Sequence, residues 1–386
     1  MLLFYYIFRC VCKSNTFLLD NTKKNIFFTL QADFKFPAHA FLPQYGVLYT
    51  KKSYIWQKLS IPMKRGILYL YIICCSIYSL HAQDAGATFQ FLQLPVSSHA
   101  AALGGDNTSI IEDDLTLAFH NPALLANTNG GTLNLNYMSY LQKTYVASAA
   151  YNMHVGDRSG LAFGAHYLNF GSMKNTDTEG NIIGNFSAKD MALMTVYSFN
   201  FSDRLSGGVT GKFIYSNYEQ VFSLALGVDL GLNYYNPDAM FSASVVARNL
   251  GGQVKTFDGI QESLPFNLLV GFSKELAHAP IRLSLTLTDL DKWQATDFHN
   301  TDDNSWKDIL LKHFIIGADI LPTPSTYLSA GYNFLLRSEL KHATKRSMEG
   351  FSIGAGLNVN RIKVGVSYGK YHVAASSLMM NFSLVL

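Results

Sequence analysis

The sequence predicts an all-β protein: a transmembrane antiparallel β-barrel of about fourteen strands, with an N-terminal segment plugging the lumen. Three observations predict this fold. The chain of 386 residues is 48% hydrophobic and 13% aromatic but only 15% charged, whereas soluble domains carry roughly 25% charged residues. Its longest continuously apolar stretch, 67–80, is shorter than the ~20 residues that a membrane-spanning helix needs. From Thr132 onward, apolar residues alternate with small or polar ones, as in barrel strands.

A secretory signal peptide is predicted at 63–82. Its positive region begins at Met63, an apolar core follows over 66–79, and Ala82 precedes the expected cleavage site. Because a signal peptide ordinarily begins a protein, we expect translation to start at Met63 and 1–62 to be a wrongly assigned upstream extension. The alternative is a cytoplasmic extension followed by an internal signal anchor.

The leader distorts the charge and cysteine content of the whole chain. Residues 1–82 contain ten of the 30 basic and two of the 27 acidic residues, so 83–386 has a net charge of −5. All four cysteines also lie in the leader, at Cys10, Cys12, Cys74 and Cys75. Their absence from 83–386 excludes disulfides, thiolate metal sites and cysteine nucleophiles there. The acidic charge argues against nucleic acid as a partner.

Alternation is clearest over 222–234, where large apolar residues occupy every even position and small or polar residues occupy the odd ones. This run satisfies the ~9–11 residues that a membrane strand needs, although a soluble sandwich strand of this length is an alternative. Similar alternation marks fourteen strands, near 131–140, 143–154, 160–171, 188–201, 204–215, 220–235, 239–249, 264–275, 281–290, 312–320, 325–336, 349–359, 361–371 and 375–386.

The connections between these strands support an even count, as single-chain bacterial barrels require. All the long connections fall on one parity, namely 172–187, 250–263, 291–311 and 337–348. With both termini in the periplasm, these four loops are extracellular and the periplasmic turns are tight. We therefore assign the barrel to 131–386 and its location to the bacterial outer membrane.

The segment 83–130 lacks long alternation and is predicted to be a plug, or hatch, inside the barrel. A fourteen-stranded barrel is too wide for its own side chains to fill. The segment contains acidic residues but no Lys or Arg. We expect Glu112, Asp113 and Asp114 to pair with basic residues on the lumenal strand faces, which are Lys212, Arg248, Arg282 and Lys363. The alternative is a periplasmic tail whose charge is incidental.

Two motifs in this segment carry a family resemblance. The stretch 91–105 reads FLQLPVSSHAAALGG and the stretch 113–125 reads DDLTLAFHNPALL. Both resemble the PorV/PorQ family, more its PorQ than its PorV members; these are outer-membrane proteins of the type IX secretion system of Bacteroidetes with FadL-like barrels. The triplet Asn121-Pro122-Ala123 is similar to one in the hatch of fatty-acid transporters. Since proline fixes φ and asparagine favours turns, we interpret this triplet as a structural corner.

The resemblance implies a non-enzymatic role in the outer-membrane lipid, within the surface attachment complex. There the protein would hold a PorZ-like cell-surface protein near a PorU-like sortase and a PorV-like component. The residues themselves point to no enzyme, cofactor or metal. The histidines lack metal-ligand spacing, and no Gly-x-Ser-x-Gly nucleophile elbow occurs.

Two functions remain open. In the first, extracellular loops with the aromatic residues Trp293, Phe298 and Trp306 dock the surface protein. In the alternative, the barrel is a FadL-like transporter that passes a hydrophobic small molecule around a movable hatch. Such a transporter needs an apolar path to a lateral gap in the wall, and a strand kink at Gly207-Gly208 is one candidate for that gap.

Overall fold

The computed structural model describes residues 88–386, except 142, 220, 258, 260, 299–304 and 341–348. In this part of the chain, fourteen antiparallel strands form one closed barrel, and the first strand pairs with the last. The predicted fold class is therefore confirmed, and each predicted strand has a counterpart. The predicted extension at 1–62, the signal peptide at 63–82 and the start of the plug at 83–87 lie outside the described residues.

The strands are β1 Thr132–Leu141, β2 Thr144–His154, β3 Ser159–Thr176, β4 Ile182–Ser202, β5 Leu205–Tyr218, β6 Val221–Asn236, β7 Phe241–Lys255, β8 Asn267–Glu275, β9 Ile281–Leu287, β10 Phe314–Thr323, β11 Thr326–Asn333, β12 Phe351–Val359, β13 Ile362–His372 and β14 Ala375–Val385. The α-helices are α1 Ser98–Ala102, α2 Trp306–Lys312 and α3 Phe334–Leu340. Short 3₁₀ helices cover Gln90–Gln93, Leu115–Phe119, Pro122–Asn127 and Ala295–Asp297. None of the described helices has the length and apolarity to cross a membrane.

Apolar side chains of the wall point outward, and the polar side chains between them point into the lumen. On β6, Leu226, Leu230 and Leu232 point away from the barrel and are 49–53% exposed, while Asp229 and Asn233 between them are buried. In a soluble sandwich the apolar face would be the buried one. The outward apolar face therefore excludes the sandwich alternative and forms a surface suited to lipid.

The end of the barrel where β1 begins and β14 ends is here called the terminus end, and the opposite end the loop end. At the loop end, most of the predicted loop 172–187 is strand, because β3 and β4 continue to pair up to Thr176 and Ile182. A register shift between Asn169 and Ser172 resets the alternation there. The alternation of apolar and polar residues therefore stops in the sequence at this point, although β3 and β4 continue to pair beyond it.

The wall is continuous at Gly207-Gly208, so the predicted kink is wrong. Both glycines pair in register with β4 on one side and β6 on the other. An interruption lies instead at β7, whose register against β6 shifts after Val228. Pairing of β7 with β8 ends at Arg248, so that 249–255 continues along β6 beyond the start of β8.

The plug, 88–130 in the described part, fills the lumen with its backbone directly against the wall. A methyl group on Gly331 would lie 2.1 Å from the carbonyl carbon of Leu103, and one on Gly208 would lie 2.4 Å from that of Pro122. Such distances leave no room for a side chain. These wall glycines thus form seats on which plug backbone rests.

Short polar side chains begin the helical turns of the plug. Ser97, Asp114 and Asn121 each precede a turn, and an oxygen of each side chain accepts a hydrogen bond from a backbone N–H of that turn at 2.9–3.3 Å. After α1, Gly104 and Gly105 adopt φ angles of 105° and 99°, a region that favours glycine. The chain can therefore reverse within the lumen without leaving these backbone groups unpaired.

Gly208→Ala should loosen the plug, because its methyl group would collide with the backbone at Pro122, whereas the outward Gly211 has open space around it. We expect a loss of about 1–3 kcal/mol of stability, with faster amide hydrogen exchange over 115–127. Gly211→Ala on the same strand is the matched control and should leave both unchanged. Equal exchange in the two variants would contradict a glycine seat for the plug.

Candidate functional site

A buried cluster of four charged side chains joins the plug to the wall in the terminus half of the lumen. His99 of the plug, 1% exposed, lies between two carboxylates, with Nδ1 2.8 Å from Glu112 Oε2 and Nε2 2.9 Å from Asp319 Oδ1. Arg282 of β9 contacts the same two acids at 2.7 Å each. A neutral imidazole has one donor, so contact with two carboxylates favours the imidazolium. Two cations then balance two anions in this His99 cluster.

The pKa values of the plug residues agree with this charge assignment. Burial by itself lowers the pKa of His99, but the carboxylates of Glu112 and Asp319 raise it to about 10. Burial favours the neutral form of Glu112, but Arg282 and His99 hold the pKa of its carboxyl well below its ordinary value. His99 also stacks on Tyr327 of β11, with ring centroids 3.8 Å apart. The cluster thus fixes α1 and the following turn to β9, β10 and β11.

Two further plug acids meet wall bases. Asp113 lies 2.5 Å from Lys363 Nζ of β13 and also accepts hydrogen bonds from the backbone and side chain of Asn129. Asp106 pairs with Arg248 of β7 and lies 2.8 Å from Nδ1 of His120. Burial opposes ionisation of Asp106, but Arg248 and His120 hold the pKa of its carboxyl well below its ordinary value. The structure therefore brings plug and wall charges together on three sides of the lumen.

Two residues predicted to join plug to wall have other partners. Lys212 lies 2.8 Å from Asp229 and donates to Asn249, so it is paired within the wall. Asp114 accepts from the backbone N–H of Thr116 at 2.9 Å and therefore caps a turn. Both corrections have a local cause: Lys212 and Asp229 are neighbours on one face of adjacent strands, and Asp114 stands where a helical turn exposes free N–H groups.

The predicted pairing also omitted His99 and Asp106, which the structure places in the pairs. The spacing of Asp106 and His120 gives no local signal, because fourteen residues and a chain reversal separate them. The position of His99 in a run of small residues is the one signal that marks it. A histidine inside a plug with excess acid has carboxylates available as partners.

The Asn121-Pro122-Ala123 triplet forms a buried corner at the wall. The side-chain oxygen of Asn121 accepts from Ala123 N–H at 3.0 Å, and its amide donates to the Thr108 carbonyl at 2.7 Å. Asn121 is 0% exposed, and its side chain packs against Gly231. The polar groups of Asn121 thus bond to the plug's own backbone.

In the loop half of the lumen, apolar side chains of the plug and the wall form one cluster, beside the buried carboxylate of Asp190. The plug residues Phe89 and Phe91, each 3% exposed, pack into a ring of inward-facing wall side chains. The wall members of this lumenal apolar ring are Met138, Val146, Leu168, Ala192, Ile214, Ala225 and Met379. His166 of β3 also lies in the ring, with its imidazole stacked on Phe91. The plug is therefore held by apolar contacts in the loop half and, in the terminus half, by ion pairs together with a second apolar cluster that includes Phe119 and Leu125.

The aromatic residues predicted for a partner surface lie in the connection between β9 and β10. Trp306 is 68% exposed and Trp293 is 54% exposed. Phe298 is only 5% exposed, because its ring packs against His313 and lies 4.9 Å from Lys312 Nζ. The assignment of Phe298 to an exposed surface is therefore wrong, while both tryptophans are accessible.

The chemistry of the lumen is that of packing and ion pairing. Among the described residues, no three His, Cys, Asp or Glu side chains are grouped to hold a metal ion. A cavity of about 30 Å³ lies between Ile111, Tyr235 and Arg282 and has room for water molecules.

No protein-family model and no curated protein sequence matches the chain. Among solved structures, the toluene transporter TodX of Pseudomonas putida matches with 12% identity and a TM-score of 0.50, over 76% of this chain and 99% of TodX. A TodX deltaS2S3 mutant, described as a monoaromatic hydrocarbon channel, matches with 13% identity and a TM-score of 0.49, over 75% and 99% of the two chains. A Pseudomonas aeruginosa FadL homologue matches with 12% identity and a TM-score of 0.44, over 75% and 97%. The match at 0.50 shows the fold alone: this chain has the same barrel fold as TodX.

Arg282→Met should destabilise the protein strongly, because it leaves the partly buried Glu112 and the buried Asp319 with His99 as their one cation in the cluster. We expect a loss of about 3–5 kcal/mol in the free energy of unfolding, measured by denaturant titration in detergent. Arg204→Met is the control, since its pair with Asp238 is exposed and worth at most about 1 kcal/mol. Similar losses in the two variants would rule out a stabilising cluster.

Stability should also depend on alkaline pH through His99. Because its folded pKa is raised from 6.5 to about 10, the stabilisation from its charge is complete below pH 6.5 and is lost as the pH rises to 10. Protease sensitivity of the plug should increase over that range. His99→Gln should flatten this dependence, whereas His278→Gln, in an exposed turn, should keep it. A parallel pH profile in His99→Gln would contradict the assignment.

Proposed function

We propose that this chain is an outer-membrane channel for a hydrophobic small molecule, closed by its own plug in the state described. The observation that carries the proposal is the lumenal apolar ring. Barrel interiors are ordinarily polar, yet here inward faces of seven strands carry buried apolar side chains around Phe89 and Phe91. The fold that the chain shares with the toluene transporter TodX supports the same proposal. The protein acts without enzymatic chemistry or a cofactor.

The apolar outer face of the wall favours a location in the outer membrane. The signal peptide would direct export and would be cleaved near Ala82. With both termini in the periplasm, the loop end faces outward. A ligand that enters from the loop end then reaches the apolar ring before it reaches the His99 cluster.

Passage requires the plug to move, because it fills the lumen from the apolar ring to the ion pairs. An apolar ligand would replace Phe89 and Phe91 in the ring and recover the apolar contacts that they lose. Further passage would then require release of the ion pairs at the terminus half. The charged wall side chains would remain as partners for the acids when the plug returns.

A disulfide between plug and wall should stop transport. Ser109 Oγ of the plug lies 2.6 Å from Ser273 Oγ of β8, and 83–386 contains no cysteine to compete. Ser109→Cys with Ser273→Cys should therefore form a bond of normal geometry in an oxidising compartment. We expect cells that produce the oxidised double variant to take up labelled toluene at least tenfold more slowly than the same cells after reduction.

Each single cysteine variant is a control for the lock and should transport toluene at one rate with and without reductant. Gel mobility without reductant verifies that the bond has formed. Equal uptake by the oxidised and reduced double variant would contradict transport by plug movement.

We propose a second candidate function on the exposure of Trp293 and Trp306. In this role the loop end docks a PorZ-like surface protein beside PorU-like and PorV-like components of a type IX attachment complex. Exposed tryptophans are enriched in such interfaces. Docking at these loops requires no plug movement, so the lock would leave partner capture unchanged. The disulfide experiment therefore separates the scaffold from the channel.

A further inference from the structure

His166 is a polar side chain placed among apolar ones. It lies on the inward face of β3, opposite Ala192, and its neighbours on the wall include Leu168 and Ile214 of the lumenal apolar ring. It is 2% exposed. Within the described part of the chain, neither of its ring nitrogens makes a hydrogen bond of good geometry, and the backbone of Phe91 is only a weak partner.

A buried imidazole whose hydrogen bonding is this poor is costly and therefore needs an explanation. Buried polar groups in folded proteins are nearly always hydrogen-bonded. Leucine or phenylalanine would fit the apolar surroundings without that cost. The position of His166 inside the ring indicates that its hydrogen bond is made by something that enters the ring.

The position of Phe91 indicates the shape of a molecule that could enter the ring beside His166. The ring of Phe91 lies parallel to the imidazole, with centroids 5.7 Å apart and 7° between the ring planes. Phe91 thus fills a flat space beside His166 but offers no polar group from its side chain. A flat aromatic molecule with one polar substituent would fill the same space and also satisfy the imidazole.

The surrounding charges oppose an ionised substituent of either sign: Asp190 disfavours an anion, and Lys212, whose charge acts on His166, disfavours a cation. Asp190, the diagonal neighbour of His166 on the same lumenal face, is 2% exposed, and its carboxylate accepts hydrogen bonds from Ser216 and Tyr218. No described Lys or Arg pairs with Asp190, and Lys212 is already bound to Asp229. A carboxylate ligand would therefore meet a like charge without a free cation. A hydroxyl group suits either tautomer of imidazole, since it can both donate and accept.

We infer that the ligand of the proposed channel is a neutral, planar aromatic molecule that carries one hydroxyl group, and that His166 selects it by a hydrogen bond within the lumenal apolar ring. This inference rests on the proposed channel function. It specifies a narrower class of ligand than the hydrophobic small molecule of the proposed function.

The probes that test it are p-cresol and p-xylene, which have nearly the same shape and differ by a hydroxyl in place of a methyl group. Uptake is measured in intact cells with and without the protein. One added hydrogen bond to a buried neutral group should favour p-cresol by about tenfold. His166→Phe, which keeps a flat ring and removes the nitrogens, should reduce that ratio to about one while p-xylene still enters. The anionic 4-methylbenzoate should not be carried by either protein.

Two further variants distinguish a loss of the hydrogen bond from a general folding defect. His166→Gln retains a hydrogen-bonding side chain and should restore part of the preference, and His278→Phe in an exposed turn should leave the full preference. An unchanged ratio in His166→Phe would overturn the inference, and the imidazole would then be explained by a trapped water. If neither probe enters faster than in cells without the protein, the channel itself is refuted, which is a different result.

Discussion

The closed wall of fourteen strands encloses more space than its own side chains can fill, and the other features follow from that constraint. The lumen must hold either water or protein, and here the N-terminal segment occupies it. Gly208 and Gly331 bring the plug backbone against the sheet. The acids of the plug find bases on the wall, so that few charges are buried without a partner. The outward alternation of Leu and Val remains free to face lipid.

The two halves of the lumen hold the plug by different forces. The His99 cluster is neutral as a unit, and its four members depend on each other, since removing one leaves a buried charge unpaired. The lumenal apolar ring is non-directional, and Phe89 and Phe91 could be exchanged there for another apolar molecule of similar size. A plug fixed firmly at one end and replaceably at the other is consistent with a channel that opens from the loop end.

Most of the wall could be predicted from sequence, because a period of two directly reports which residues face out. Glu112 and Asp113 could be placed opposite lumenal bases from charge alone. The partner of His99 could not, since Asp319 is 220 residues away. The pairing of Lys212 with Asp229 could not be predicted either, because it depends on the register of β5 against β6, and the sequence of one strand does not determine that register. Phe298 is buried by His313 and Lys312, which lie outside its own turn, so the local sequence does not show the burial. The sequence Gly207-Gly208 suggests a kink, but Gly208 is small because the backbone of Pro122 lies directly against it.

The plug precedes the whole wall in the chain, yet its ionic partners come from β7, β9, β10 and β13. Nearly the full length must be synthesised before Asp113 can meet Lys363, 250 residues later. The seam between the first and last strands joins β1, directly after the plug, to β14 at the other end of the barrel sequence. Both the seam and the plug's ion pairs are contacts of long sequence separation, and such contacts make folding slow.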